Sequence, residues 1–255
     1  MRENNRMVFC TNSNKMRDLS KATEYFFRRF GWKEFEVSDI YTDKTKSKTA
    51  FRLQKQLGLN EQSLHKYLTL LANYGFFRKG SRGTYALNLS GWRFGEQHRS
   101  SPNNSERRDL LYKALVNKYK CITRNREIHP YRWIFRYLNA LGGRCSKLEL
   151  GALFLINSET EYNELVSRVI LSRERKRPEM IADVYAEYVR YDLVTEHDIK
   201  MIAKKDIYRP TSLLANIKIL KKIPTSTGNF VELPGGFKLS SEQDIVLTGD
   251  GRDIV

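Results

Sequence analysis

Apolar residues recur at helical spacing along most of the chain, and the passage from Ala50 to Gln97 is the most informative. Ala50 to Leu57 predicts a short amphipathic helix that Gly58 can end, since only glycine takes positive φ without strain. Asn60 can cap a second helix, Glu61 to Tyr74, which Gly75 closes. Within it Leu64, Leu68 and Leu71 recur at i, i+4 and i+7 and must face a core. Gln62, Ser63, His65, Lys66 and Thr69 are left outward on a rigid rod. Phe76 to Leu87 then sets aromatic strand ends around the turn Gly80-Ser81-Arg82-Gly83. Helix, tight turn, helix and basic hairpin predict a winged helix-turn-helix, a unit whose usual use is reading the major groove.

The flanking segments extend this pattern. Residues 1–16, rich in Asn and Arg, read as an extended arm. Leu19, Ala22, Phe26 and Phe30 mark a helix from Asp18 to Phe30, and a first winged-helix subdomain spans 17–98. Gly91-Trp92-Arg93-Phe94-Gly95 and the polar run from Arg99 to Ser105 read as a boundary. Residues 99–129 then form a linker carrying a helix from Arg107 to Tyr119. Pro130 opens a helix through Leu141, stopped by Gly142-Gly143. Ser146-Lys147-Leu148-Glu149 and Ser158-Glu159-Thr160-Glu161 are capping boxes before two further helices, giving a helical helix-turn-helix-type subdomain over 130–178. Next come a helix from Glu179 to Tyr191, a helix capped by Thr195, and one from Thr211 to Ile223 with Leu213, Leu214, Ile217 and Leu220 inward. Two short strands between Pro224 and Leu239 complete a second winged-helix subdomain over 179–240, and 241–255 is a tail or the start of a linker. The fold class is mainly α with short β-hairpin wings, in tandem winged-helix and helix-turn-helix subdomains.

Charge narrows the partners. The 255 residues hold 45 Lys and Arg against 29 Asp and Glu, a net charge of +16. Such a field concentrates polyanions and costs stability through self-repulsion unless a partner neutralises it. Hydrophobic residues at 40% and aromatics at 12% suffice to bury cores, which excludes a disordered tail. Cys10, Cys121 and Cys145 are odd in number, widely spaced and near no histidine pair, so they read as free thiols of a reducing cytosol. No apolar run approaches the ~20 residues of a membrane span. No apolar stretch of a signal peptide follows the N-terminal residues, and a cytoplasmic protein with no membrane partner is expected.

Candidate chemistry is sparse. A nuclease of the PD-(D/E)xK type needs an acidic residue and, one strand later, Asp/Glu-x-Lys, so that carboxylates hold Mg²⁺ beside a water-positioning lysine. Glu174-Arg175-Lys176 and Asp198-Ile199-Lys200 offer the triplet, with Asp183 upstream of the second. Glu174 lies in a charge run at a helix end and Asp198 in a capped helix, so both read as solvated helix faces. His65, His98, His129 and His197 fit no metal spacing, and no phosphate-binding loop or hydrolase motif occurs. No catalytic residue, metal ligand or cofactor is assigned to this chain.

Groups suited to DNA are more plentiful. In the first unit Gln62, Ser63, His65 and Lys66 are candidates at base edges, Gln suiting adenine and Lys suiting guanine, and Asn60 at the helix start joins the DNA-binding set. Arg78, Lys79 and Arg82 in the hairpin suit phosphate or the minor groove, and Lys46 and Lys48 in the basic lead to the first helix suit phosphate as well as they suit a solvated loop. Arg209, Thr211, Ser212 and Asn216 are the counterparts in the third subdomain. Arg173 and Arg175 lie in the densest cationic run, which a solvated helix terminus explains nearly as well. Arg2, Asn5 and Arg6 of the arm suit a minor groove. The bland alternatives are a helix that packs on another protein and a solvated basic surface.

Two further stretches carry a family resemblance. Ala86 to Trp92 runs into Asn104 to Leu111, and His129 to Phe135 leads to Leu141 to Leu150. With the pattern spread over residues 60–240, the chain resembles the N-terminal recognition half of type IIS restriction endonucleases of the AlwI and FokI kind and their nicking relatives. The resemblance implies a recognition domain of tandem winged-helix subdomains that binds an asymmetric double-stranded DNA site as a monomer in the prokaryotic cytosol. It implies a parent type II site-specific deoxyribonuclease whose Mg²⁺-dependent nuclease domain lies outside this chain, which stops at Asp250 to Val255 where a linker would begin. A plasmid replication initiator or winged-helix transcriptional repressor, which binds repeats or palindromes, is the rival expectation.

Overall fold

A helix with one apolar stripe is stable only when that stripe is covered, and the chain does this around two centres. The computed structural model describes residue 7 and residues 16–41, 48–100, 105–123, 126–224 and 229–249. The chain divides into a first unit, Cys10–Tyr119, and a second, Lys120–Val255 together with Met1–Phe9. Both are mainly α with short antiparallel strands. No described helix is long and apolar enough to cross a membrane.

The first unit comprises α1 (Met16–Phe30), α2 (Lys48–Leu57), α3 (Glu61–Asn73), the hairpin β1 (Phe77–Lys79) and β2 (Tyr85–Leu87), α4 (Leu89–Ser100) and α5 (Ser105–Asn117). Leu19 and Phe26 of α1, Leu64, Leu68 and Leu71 of α3, and Phe77 and Leu87 of the hairpin are buried together. Phe35 stacks on Phe26 at 5.5 Å and Phe77 meets Phe26 edge-on at 5.4 Å, geometries the ring quadrupole favours. Gly58 and Gly75, at φ +66° and +74°, follow α2 and α3 as the sequence predicts. Phe35 bridges Tyr85 on the edge of β2, so the strand order is Phe35, β2, β1, with the third strand reduced to a single bridge.

The expected boundary at 91–105 is not one. Helix α4 occupies most of it and packs on α1. Phe94 is fully buried and its carbonyl accepts the Ser20 hydroxyl at 3.0 Å. A Cβ on Gly91 would sit 2.3 Å from the Phe76 carbonyl oxygen, and one on Gly95 3.0 Å from the Glu24 nitrogen. These glycines look like punctuation in the sequence, yet they are the points at which α4 touches its neighbours. The division falls instead between Tyr119 and Lys120.

The second unit opens with the hairpin β3 (Cys121–Thr123) and β4 (Arg126–Ile128), which the sequence reading leaves inside a linker. There follow α6 (Pro130–Ala140), β5 (Arg144–Cys145), α7 (Lys147–Leu153), α8 (Glu159–Arg175) and α9 (Glu179–Arg190). Then come α10 (Glu196–Met201), a π-helical turn (Ile202–Asp206), α11 (Tyr208–Asn216), β6 (Leu220–Lys222), β7 (Phe230–Leu233), β8 (Phe237–Ser240) and β9 (Ile245–Leu247). Ser146 and Thr195 close the capping boxes of α7 and α10. Ser158 caps α8, but the Glu161 carboxylate accepts from the Asn157 amide, one residue before the cap.

Strand β9 lies between β5 and β6, antiparallel to both. The order β5, β9, β6 repeats that of Phe35, β2, β1: in each unit the last strand in sequence is the central one. This corrects the expected division of residues 130–255, because one sheet draws a strand from each of 130–178, 179–240 and 241–255. Among the described residues the hairpin expected to be a wing, β7 with β8, pairs only with itself, and it packs on α9 and α7. Met7, expected in the extended arm, is fully buried, and its amide donates to the Phe154 carbonyl at 2.8 Å.

Candidate nucleic-acid interface

Helix α3 is the clearest element for contact. Gln62, His65 and Lys66 lie at i, i+3 and i+4 and are exposed, with Thr69 beyond them. Leu64, Leu68 and Leu71 seal the opposite side into the core. The Asn60 side chain accepts from the Ser63 amide at 2.8 Å, which fixes the helix start. Asn60 is therefore first a cap, and Ser63 is only half-exposed.

The sequence reading misses Tyr41. Its ring lies 6.3 Å from that of His65, and it is 48% exposed. Arg29 holds the preceding turn, donating to the Tyr25 hydroxyl and to the Asp39 and Ile40 carbonyls. The one available signal was an aromatic residue beside the basic run that begins at Lys44.

The hairpin adds cations. Arg78 and Lys79 are exposed on β1, and Lys79 Nζ lies 3.4 Å from Asn73 Oδ1, tying the hairpin to the end of α3. Arg82 sits in the turn at φ +66°, ψ 21°, a left-handed conformation uncommon for arginine. Arg2, Asn5, Arg6, Lys46 and the side chain of Lys48 lie outside the described residues.

Several candidates of the second unit face inward. Arg173 donates to both oxygens of Glu149, at 2.8 and 2.9 Å, and to the Leu141 and Arg144 carbonyls, at 3.0 and 2.7 Å. Burial alone would lower its pKa, but the bonds to Glu149 outweigh that and raise it. Arg173 is a brace between α8, α7 and the turn after α6, not an outward contact. Thr211 is also buried and donates to the Ile207 carbonyl at 2.7 Å, which removes it from the exposed set. Arg209 leans on the buried Asp206 at 3.5 Å. Ser212 accepts from Lys222 Nζ at 2.9 Å. Arg175 and Asn216 are exposed.

The triplets resembling a nuclease motif do not assemble. Asp198 Oδ2 accepts from the Thr195 amide and hydroxyl at 3.0 and 2.8 Å, as the carboxylate of a capping box. Asp183 is exposed on α9, and Glu174 on the last turn of α8. Among the described residues no three His, Cys, Asp or Glu side chains converge to hold a metal ion.

No family model and no curated protein matches the chain. Among solved structures it is similar to restriction endonuclease FokI, at 12% identity and a TM-score of 0.48, with 100% of this chain covered. FokI bound to DNA gives 12% identity, a TM-score of 0.47 and 99% coverage. In both cases the chain spans 47% of the FokI chain, about half its length.

Proposed function

We propose that the first unit binds double-stranded DNA with α3 in the major groove and the β1–β2 hairpin against the adjoining backbone. One observation carries this reading: a capped helix, sealed on its apolar side, presents Gln62, His65 and Lys66 outward next to a hairpin bearing Arg78, Lys79 and Arg82. An amide, an imidazole and an ammonium on one helical face can meet base edges, whereas the hairpin cations neutralise phosphate without reading sequence. The bland alternative, a helix buried against another protein, fits poorly because three polar or charged groups would then need partners.

Recognition of an asymmetric site, and service as the targeting part of a type II restriction endonuclease, are proposed from the sequence resemblance. Cleavage would then belong to a Mg²⁺-dependent domain outside this chain. Selection from randomised duplexes tests the reading. A selected site is expected to bind ~10³-fold or more tighter than a scrambled one. Gln62→Ala is expected to lose ~1–3 kcal/mol of discrimination at one base pair and to melt like the parent. Equal affinity for every duplex would remove the recognition claim.

A further inference from the structure

A cavity of about 210 Å³ opens on the second unit among α7, α11, β6, β9 and the segment after β6. Five residues set its chemistry: Tyr208, Lys222, Ile223, Lys147 and Asp244. Tyr208 and Ile223 are 47% and 41% exposed, so both leave apolar surface open to a ligand. Lys222 Nζ lies 5.6 Å from the Tyr208 ring centre and 2.9 Å from the Ser212 hydroxyl, which engages one of its three donors. Burial, and then the charge of Lys147, lower the Lys222 pKa from the ordinary lysine value. Asp244 is 4% exposed. Its Oδ2 pairs with Lys147 Nζ at 2.9 Å, but its Oδ1 is buried with no hydrogen-bond partner among the described residues. An acceptor stranded in this way is costly unless a donor arrives to meet it.

These features describe an occupant. It must donate to Asp244 Oδ1, accept from Lys222 and offer a flat face to Tyr208. At about 210 Å³ the space lies below the ~300–1,000 Å³ of a pocket for a larger ligand. We infer that this cavity receives a single amino-bearing nucleobase, such as cytosine, taken out of a base stack or from a single strand. The exocyclic amine donates to the carboxylate, the adjacent ring nitrogen accepts from the ammonium, and the ring stacks on tyrosine. A phosphodiester of the backbone has no donor for Asp244 Oδ1 and no flat face for Tyr208. Thymine has one ring donor, set between two carbonyl oxygens that would crowd the carboxylate.

This inference goes beyond groove docking and concerns the other unit, so free nucleosides test it independently of any duplex. Saturation-transfer NMR on the full chain should show deoxycytidine binding with a Kd on the order of millimolar. Thymidine should bind at least ~5-fold more weakly, and inorganic phosphate should not displace deoxycytidine. Tyr208→Ala and Lys222→Met, both at accessible side chains, should each weaken deoxycytidine ~5-fold or more with unchanged melting. Asp244→Asn should narrow the gap between the two nucleosides, and if it unfolds the other two variants still decide. Equal binding of thymidine, displacement by phosphate, or no transfer to deoxycytidine would each overturn the inference. Loss of duplex binding in Gln62→Ala would leave it untouched.

Discussion

Arg173 and Arg175 stand two positions apart on α8 and should answer truncation very unequally. Arg173→Ala leaves Glu149, itself 7% exposed at its side chain, without its charge partner. Breaking such a pair from one side costs ~3–5 kcal/mol, and urea unfolding of the second unit should register it. Arg175→Ala is expected to stay within ~0.5 kcal/mol, because its side chain is exposed. In the sequence both belong to one cationic run. Nothing local distinguishes them, since the carboxylate that recruits Arg173 lies 24 residues upstream. Cys145 makes a second point at this scale. Burial, followed by the nearby Glu149 charge, pushes its thiol well above the ordinary range. Iodoacetamide at about pH 8 should therefore label the half-exposed Cys121 before Cys145. The folded thiol's pKa is raised, so its contribution to stability is complete below the unfolded value of ~8.5 and declines as pH rises past it.

Elements were legible where their signal is local. The caps at Asn60, Ser146, Ser158 and Thr195, and the apolar spacing of α3, are each contained within a few residues, and each is found in place. Helix α4 was missed because two glycines weaken helix propensity and their value lies in what they touch. Gly91→Ala should test this, since its new methyl would press on the Phe76 backbone. A loss of ~1–3 kcal/mol in the first unit is expected from thermal melts. Strands β5 and β9 were missed for another reason, and β6 stands where the helix from Thr211 was expected to run on to Ile223. Elements of two and three residues are too short to show alternation, and they pair across about a hundred positions. The exposed side of α3 was legible because its apolar side was. Tyr41 was not, because its place beside His65 depends on the turn that Arg29 holds.

For the whole molecule, the net charge of +16 sets how binding responds to ions. If the proposed contacts form, log K should fall linearly with log salt, and each phosphate-contacting cation should add about 0.9 to the slope. Arg82→Ala should reduce that slope by about one without changing the preferred site, as filter binding at several salt concentrations would show.

The central position of β9 also bears on how the protein is made. A ribosome delivers residues 144–145 and 220–222 well before residues 245–247, so β5 and β6 must wait for the strand that separates them. During that interval both expose unpaired edges, on which nascent chains can join one another. A stop codon just before Ile245 should thus yield protein that stays bound to chaperones or enters inclusion bodies, although it retains almost every helix.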